Sequence, residues 1–258
     1  MRLQYLLEKT HVERLLMPIE ALARELGQLA QNDGHHPTAI PQLAVYRSSV
    51  KTEPLACFYG LGLAIAAQGG KQVMVGDQVL AYGAGQSLLT TVDLPVVAHV
   101  NQASLAAPYL GMLLTLDARA LVQLVTEMDL PPLPREQSPR AISLSPMEAP
   151  LIEAAIRLLQ LLNQPALMSH LAPLIQQEIM VRLLTGPHGP YLRQLLATGS
   201  PSHQVARAMA WLKQNFRRDV LMDELAATAH MSPSTFRQHF RGASSHYART
   251  AHAGELQL

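Results

Sequence analysis

The chain between residues 41 and 116 consists of short apolar stretches separated by Gly, Pro and Asp. Seven of these stretches have the length of strands, and they are Leu43–Tyr46, Leu61–Ala67, Val73–Val75, Val79–Tyr82, Ser87–Val92, Val96–Val100 and Tyr109–Leu116. Strands at such regular spacing are typical of a β-sandwich or a small barrel. The Gly69-Gly70 and Gly76-Asp77 pairs, and the stretch Gly83 to Gly85, fit the turns between them, because glycine reaches the positive φ that tight turns need.

Helical periodicity flanks this region on both sides. Before it, the apolar residues of Leu15–Leu26 predict an amphipathic helix that ends at Gly27. After it, a helix over Leu121–Met128 gives way to a proline-rich loop over Pro131–Pro146, since proline breaks a helix interior. Three more helices are predicted, at Pro150–Leu162, Leu171–Leu184 and Tyr191–Ala197.

A short stretch of small residues at Thr198–Ser202 separates this part from the rest of the chain. We place a domain boundary there, which divides the 258 residues into domains 1–198 and 199–258. Beyond the boundary, Met222–Ala229 predicts a short helix with acids in its first turn, where they favour the positive end of the helix dipole. After a turn at His230-Met231, Ser232 suits an N-cap and Pro233 suits the first helical position.

The helix that starts at Pro233 has one apolar and one polar face. Phe236 and Phe240 form an apolar pair four residues apart, and the opposite face holds Ser234, Arg237, Gln238 and Arg241. Helix, tight turn and capped second helix is the arrangement of a helix-turn-helix, in which Arg donates to guanine and Gln pairs with adenine. Any two short helices joined by a turn resemble a helix-turn-helix in sequence. A charged helix face is usually exposed to solvent and binds no partner. The pattern alone therefore leaves DNA binding and a plain helical subdomain equally open.

Composition and charge narrow the function classes. Hydrophobic residues make up 48% and charged residues 15%, which excludes a disordered polyelectrolyte. The net charge is +1, but seven Lys and Arg stand against four acids after residue 198, so the basic part coincides with the predicted helix-turn-helix. The single cysteine, Cys57, excludes an intrachain disulfide and favours a reducing cytosol, where it is expected to be a buried hydrophobe and not a reactive thiol. No apolar run approaches roughly eighteen residues, so we expect neither a signal peptide nor a membrane span.

Two regions of the sequence resemble one family. Near the C-terminus the strings are Asp223-Glu224-Leu225-Ala226, Met231-Ser232-Pro233-Ser234-Thr235-Phe236 and His239-Phe240-Arg241, which resemble the first helix-turn-helix of AraC/XylS-type bacterial transcription regulators. Upstream, the strings are Leu43-Ala44-Val45-Tyr46-Arg47, Gln68-Gly69-Gly70-Lys71, Gly76-Asp77, Tyr82, Ser87-Leu88-Leu89, Val92-Asp93-Leu94-Pro95, Pro108-Tyr109-Leu110, Leu116-Asp117 and Arg182-Leu183-Leu184-Thr185-Gly186-Pro187, which are similar to the N-terminal cupin-like domain of one AraC subfamily. The resemblance covers about residues 18 to 241.

The resemblance implies an α+β protein with an N-terminal cupin-like β-barrel, flanking helices and an all-α helix-turn-helix region. It implies a cytoplasmic regulator that binds promoter DNA, whose barrel senses a small-molecule effector or forms a homodimer, with no cofactor, metal or catalytic residue. By the same resemblance Ser234, Arg237 and Gln238 contact bases, while Ser232 and Arg241 lie near the DNA backbone. The family usually has glycine at the turn position of His230, where the backbone tends to adopt a positive φ.

The resemblance also leaves alternatives. The family's DNA-binding domain contains two helix-turn-helix units, and the seventeen residues after Arg241 match no second unit, so the C-terminal region is expected to be incomplete. A dimerisation and sensor module that does not bind DNA is therefore an alternative to a DNA-binding regulator. Tyr46, Phe58, Tyr59 and Tyr82 either line an effector site or fill the core, and the sequence does not separate these roles.

The competing reading is a cupin-type metal enzyme that acts on a small molecule. Such a site needs two or three His and a carboxylate around one metal ion. The strand region holds one histidine, His99, and the pair His35-His36 falls in a predicted loop ahead of it. No nucleophile elbow, phosphate loop or paired carboxylates appear in the sequence either. We therefore expect a protein that is not an enzyme.

Overall fold

A computed structural model describes residues 17–76, 78–132, 141–196 and 221–240, together with residues 204, 207, 208, 211, 212 and 215; side chains are described up to residue 236. The strands are β1 Gly34–Pro37, β2 Leu43–Ser48, β3 Leu55–Tyr59, β4 Gly62–Gln68, β5 Gly70–Val75, β6 Gln78–Gly83, β7 Gln86–Thr90, β8 Leu94–Gln102, β9 Tyr109–Thr115 and β10 Ile142–Pro146. The helices are α1 (residues 17–29), α2 Ala118–Glu127, α3 Ala149–Gln160, α4 Pro165–Thr185, α5 Gly189–Leu196, α6 (described at residues 204, 207, 208, 211, 212 and 215), α7 Met222–Thr228 and α8 Pro233–Phe240.

The strands form two antiparallel sheets. Six strands make one sheet in the order β1-β2-β9-β4-β7-β10, and four make the other in the order β3-β8-β5-β6. Among the described residues no strand of one sheet pairs with a strand of the other. The α+β class is thus confirmed, and the expected barrel is observed as two open sheets that face each other.

The six-stranded sheet is buried on both faces, which gives the molecule three layers. Alternate strand residues such as Leu63 and Ile65 join a core with α1 to α4, whereas Ala64 and Ala66 join a second core with the four-stranded sheet. Side chains alternate between the two faces of a strand, so a strand buried on both faces is apolar at consecutive positions. This accounts for the short continuous apolar runs in the sequence.

Three strands were not predicted, and two of them contradict predicted loops. His35 and His36 lie in β1, which pairs only with β2, and β10 lies inside the predicted proline-rich loop. Both are edge strands of the six-stranded sheet, where polar residues and proline are tolerated because one side of the strand needs no partner. The third, β3, is short and is an edge strand of the other sheet.

A buried histidine joins the helical layer to this sheet. His188, in the turn between α4 and α5, is 2% exposed. Its Nδ1 lies 2.8 Å from Ser143 Oγ on β10, and its Nε2 lies 3.0 Å from Ser87 Oγ on β7. Burial lowers the pKa of His188 from 6.5 to about 4, so the ring is neutral at physiological pH.

The C-terminal helices share the second core with the strands. Leu225, Ala226 and Phe236 are buried in the same apolar cluster as Val73 and Tyr109 of the sheets. The inward positions predicted for α7 and the burial of Phe236 are therefore confirmed. The predicted domain boundary at residues 198–202 lies outside the described residues and stays a prediction.

Candidate functional site

The two helices α7 and α8 are joined by a tight turn whose geometry depends on one residue. His230 has φ 54°, the positive value expected at this turn position. The N–H of His230 donates to Ala227 O at 3.0 Å, and the N–H of Met231 donates to Ala226 O at 2.9 Å. These two bonds form a Schellman motif, which satisfies the last carbonyl groups of α7 and turns the chain sharply.

The start of α8 has the N-cap that the sequence predicts. Ser232 Oγ accepts a hydrogen bond from the backbone N–H of Thr235 at 3.1 Å, and Pro233 is the first helical residue. The hydroxyl groups of Ser234 and Thr235 lie 2.9 and 2.8 Å from Ser232 Oγ. The exposed N-terminus of α8 therefore presents a cluster of hydroxyl groups to solvent, while Phe236 anchors the helix from the buried side.

The five predicted DNA-contacting residues are described to different extents. Ser232 and Ser234 lie together and exposed at the start of α8. Arg237 and Gln238 lie on α8, but their side chains are outside the described residues, as is the whole of Arg241. The structure thus brings two of the five together, and the DNA-contacting roles of all five remain predictions.

A second candidate site is a cavity of about 450 Å³ between the two sheets. Its wall on the six-stranded sheet contains small residues, namely Ala44, Gly62, Ala64 and Gly111. The neighbouring residues on the same strands, such as Leu63 and Met112, point to the helical layer. A Cβ on Gly111 would lie 2.6 Å from Tyr109 Oη, so the absence of a side chain here makes room for that ring. Small residues on one face of the sheet therefore create the cavity.

Four tyrosines line the cavity. Tyr46 and Tyr109 pack edge to face with ring centroids 5.9 Å apart, and Tyr59 and Tyr82 complete the group. Burial raises the pKa of Tyr59, Tyr82 and Tyr109, so these phenols are neutral and act as hydrogen-bonding groups without charge. The cavity is thus apolar with a few hydroxyl groups, as small-molecule sites are.

One lysine lies inside this tyrosine cluster. Lys71 Nζ lies 5.2 Å from the ring centroid of Tyr46 and 5.5 Å from that of Tyr59. Lys71 and Tyr59 belong to the four-stranded sheet and Tyr46 to the six-stranded sheet, so the ammonium group bridges the two sheets by cation–π contacts. Within the described residues Lys71 forms no ion pair with Asp or Glu.

Cys57 also lines the cavity and is partly buried. Burial raises the pKa of its thiol, and the charge of Lys71 opposes this shift only in part. The thiol is therefore protonated at neutral pH, which agrees with the expectation of an unreactive cysteine. Among the residues that the structure describes, no group of three His, Cys, Asp or Glu side chains is placed to hold a metal ion.

A family comparison decides where the chain belongs. The family described as AraC-type transcriptional regulator N-terminus matches residues 39–191, which is more than half of the chain. The chain belongs to this family. The matched residues include both sheets from β2 onward, the cavity and the helices α2 to α4. No curated protein matches the chain.

Solved structures share the fold of this AraC-type chain at low sequence identity. Wild-type ToxT from Vibrio cholerae strain SCE256, bound to an unsaturated fatty acid, is 9% identical with a TM-score of 0.55, over 83% of this chain and 82% of that chain. An apo lysine-to-alanine variant of the same protein is 8% identical with a TM-score of 0.52, over 83% and 81%. Within its described part, the AraC-type chain has no helix long and apolar enough to cross a membrane.

Sequence reasoning found part of the cavity and missed its charged residue. Tyr46, Phe58, Tyr59 and Tyr82, left open between core and effector site, all line the cavity. Lys71 was not singled out, although its partner on the neighbouring strand β6 is Tyr82. The signal that was available is the alternation of large and small residues, as in Leu63-Ala64-Ile65-Ala66, because small residues on one face of a sheet leave space above it.

Proposed function

We propose that this AraC-type chain is a transcription regulator that binds promoter DNA through α8 and binds a small-molecule effector between its two sheets. The observation that carries the proposal is a helix-turn-helix geometry, with its Schellman turn and N-capped second helix, in a chain of this family. A capped helix with an exposed polar face suits entry into the major groove. The fatty acid bound to ToxT, which shares the fold, supports an effector role for the cavity.

The proposed roles of the five DNA-contacting residues follow from their positions along α8. Ser234 is near the N-terminus of the helix, where recognition helices contact base edges, and Arg237 and Gln238 follow one turn later. Arg donates two hydrogen bonds to guanine and Gln pairs with adenine, so these two residues read sequence. Ser232 and Arg241 contact phosphates, which position the helix without reading bases.

The shared core supports coupling between the effector and the DNA-binding helices. Tyr82 and Tyr109, which line the cavity, belong to the same apolar cluster as Leu225 and Phe236 of α7 and α8. Packed interiors transmit small displacements because they contain little free volume. An effector that shifts these tyrosines thus changes the support of α8.

The proposal is tested by selection from a random duplex library with the full chain, followed by fluorescence anisotropy on the enriched duplex. Substituting Arg237 or Gln238 by Ala is expected to weaken binding about tenfold or more and to relax selectivity at one base position, since a bidentate contact discriminates by about 1–3 kcal/mol. Arg119→Ala, an exposed arginine on α2, is the control and should leave binding unchanged. Absence of any enriched sequence would refute DNA binding and favour the sensor module.

A further inference from the structure

We infer that the cavity between the sheets binds a compact, mainly apolar monocarboxylate whose carboxylate group pairs with Lys71 between the rings of Tyr46 and Tyr59. The inference rests on the proposed function only where the bound ligand is said to regulate DNA binding. Binding itself is a property of the cavity and is tested without DNA.

The charge of the cavity wall indicates an anion. Among the described residues that line the cavity, Lys71 is the one Lys or Arg, and none is Asp or Glu. The acid that the structure places near the wall, Asp93, lies beside Gly60, and no ion pair joins it to Lys71 within the described residues. An ammonium group in a partly apolar site without a counterion stabilises an anionic ligand, because the ligand replaces water lost around the charge.

The number of charges indicates a single carboxylate. Apart from Lys71, the basic side chain that lines the cavity is His35 on the edge strand β1. A phosphate or a dicarboxylate would bring a second negative charge, and the described lining residues offer no second permanent cation to pair with it. The rings of Tyr46 and Tyr59 flank the ammonium group, and a tyrosine hydroxyl can donate a hydrogen bond to the second oxygen of a carboxylate.

The size and surface of the cavity define the rest of the ligand. Leu55, Phe58, Leu61 and Leu113 line it together with the small residues of the six-stranded sheet. At about 30 Å³ per water molecule, a volume near 450 Å³ corresponds to about fifteen waters, so the ligand has on the order of ten to twenty non-hydrogen atoms. Short aliphatic acids and bicyclic aromatic acids both satisfy this size.

The position of Lys71 explains how such a ligand would be sensed. Lys71 contacts a ring from each sheet, and its charge also acts on the hydroxyl of Tyr109. A carboxylate draws the ammonium group toward the ligand and so changes the contact that bridges the sheets. Lys71 is therefore the residue that converts the charge of the ligand into a change in the packing of the two sheets.

The test is isothermal titration calorimetry and thermal denaturation of the full chain with decanoate, decanol, decylammonium and 2-naphthoate. Decanoate is expected to bind at least tenfold more tightly than decanol and to raise Tm, and decylammonium is expected not to bind. The comparison of decanoate with 2-naphthoate assigns the aliphatic or aromatic class. Equal affinity for decanoate and decanol, or tighter binding of decylammonium, would overturn the inference, the latter in favour of a cation cage.

Variants of the lysine test its role directly. Lys71→Met is expected to lower decanoate affinity to that of decanol, while retained decanol binding shows that the cavity is intact. Lys71→Arg should keep the preference for the acid, and Lys51→Met, at an exposed lysine ahead of β3, should behave as wild type. Unchanged decanoate affinity in Lys71→Met would contradict the inference. Acid binding that leaves DNA binding unchanged would refute the effector role alone.

Discussion

The two faces of the six-stranded sheet differ in how they fill space. The face toward the helices carries large aliphatic residues such as Leu63, Ile65 and Leu114, all at most 1% exposed. The face toward the four-stranded sheet carries Ala64 and Gly111 in the same strands and leaves a cavity above them. In one sheet, one set of alternate positions thus fills a core and the other set leaves a cavity. Substitutions on the two faces should therefore have different consequences.

The largest effect is expected on the packed face. Ile65→Ala removes a side chain that is 1% exposed and leaves a hole in the core with α1 to α4, so the free energy of unfolding should fall by about 2–5 kcal/mol. Urea denaturation followed by circular dichroism measures this loss. Leu113→Ala, at a residue that lines the cavity and is 44% exposed, is the control and should cost much less. Equal losses at both positions would show that the two faces are packed alike.

The next effect concerns the polar contact on the packed face. The folded state holds the pKa of His188 at about 4 instead of 6.5, so the unfolded chain binds one more proton between these values. The contribution of His188 to stability is complete above pH 6.5 and is lost as the pH falls toward 4, by about 1.4 kcal/mol per pH unit at most.

Denaturation at several pH values from about 7 to about 4 measures this slope. His188→Gln should lower stability at pH 7 and reduce the slope, because the group that gains the proton is gone. His170→Gln, at an exposed histidine on α4, provides a matched control. A slope that is the same in wild type and His188→Gln would rule out His188 as its source.

A smaller effect is expected on the cavity face. In Gly111→Ala the new methyl group would lie 2.6 Å from Tyr109 Oη and 2.8 Å from Ile65 O, so the phenol has to move. We expect a loss of about 1–3 kcal/mol together with weaker acid binding, because the substitution overpacks the wall. Calorimetry and urea denaturation measure the two losses. Wild-type stability and affinity in this variant would contradict the tight packing of Gly111 against Tyr109.

The smallest effect extends the comparison to the helix-turn-helix that shares the second core. His230 has φ 54°, which costs a residue with a Cβ about 1–2 kcal/mol relative to glycine. Glycine offsets part of this difference, because it has more conformational entropy in the unfolded chain. His230→Gly should therefore raise the free energy of unfolding by about 0.5–1 kcal/mol. Thermal denaturation measures the gain, and His230→Ala is the control that should not give it. A destabilised glycine variant would mean that the imidazole makes a contact worth more than the strain.

The sequence predicted the elements whose signals are local. The seven predicted strands, the turn at Gly69 with φ 72° and the N-cap Ser232 depend on neighbouring residues, and each is observed. The edge strands β1 and β10 were missed because their identity depends on partners elsewhere in the chain, Val45 for His36 and Leu88 for Leu144. The role of Lys71 was missed for the same reason, since Tyr46 approaches it from the other sheet.

The pairing of β10 with β7 has a consequence for how the chain folds. Ser145 on β10 lies opposite Ser87 on β7, so this edge is completed only after 58 further residues have been synthesised. Until then β7 presents unpaired backbone groups on one side, and an uncovered strand edge promotes association with other chains. A nascent chain that stops before residue 142 is thus expected to be more prone to aggregation than one that includes β10. We therefore expect completion of this edge, and not only burial of the core, to protect the chain from aggregation during synthesis.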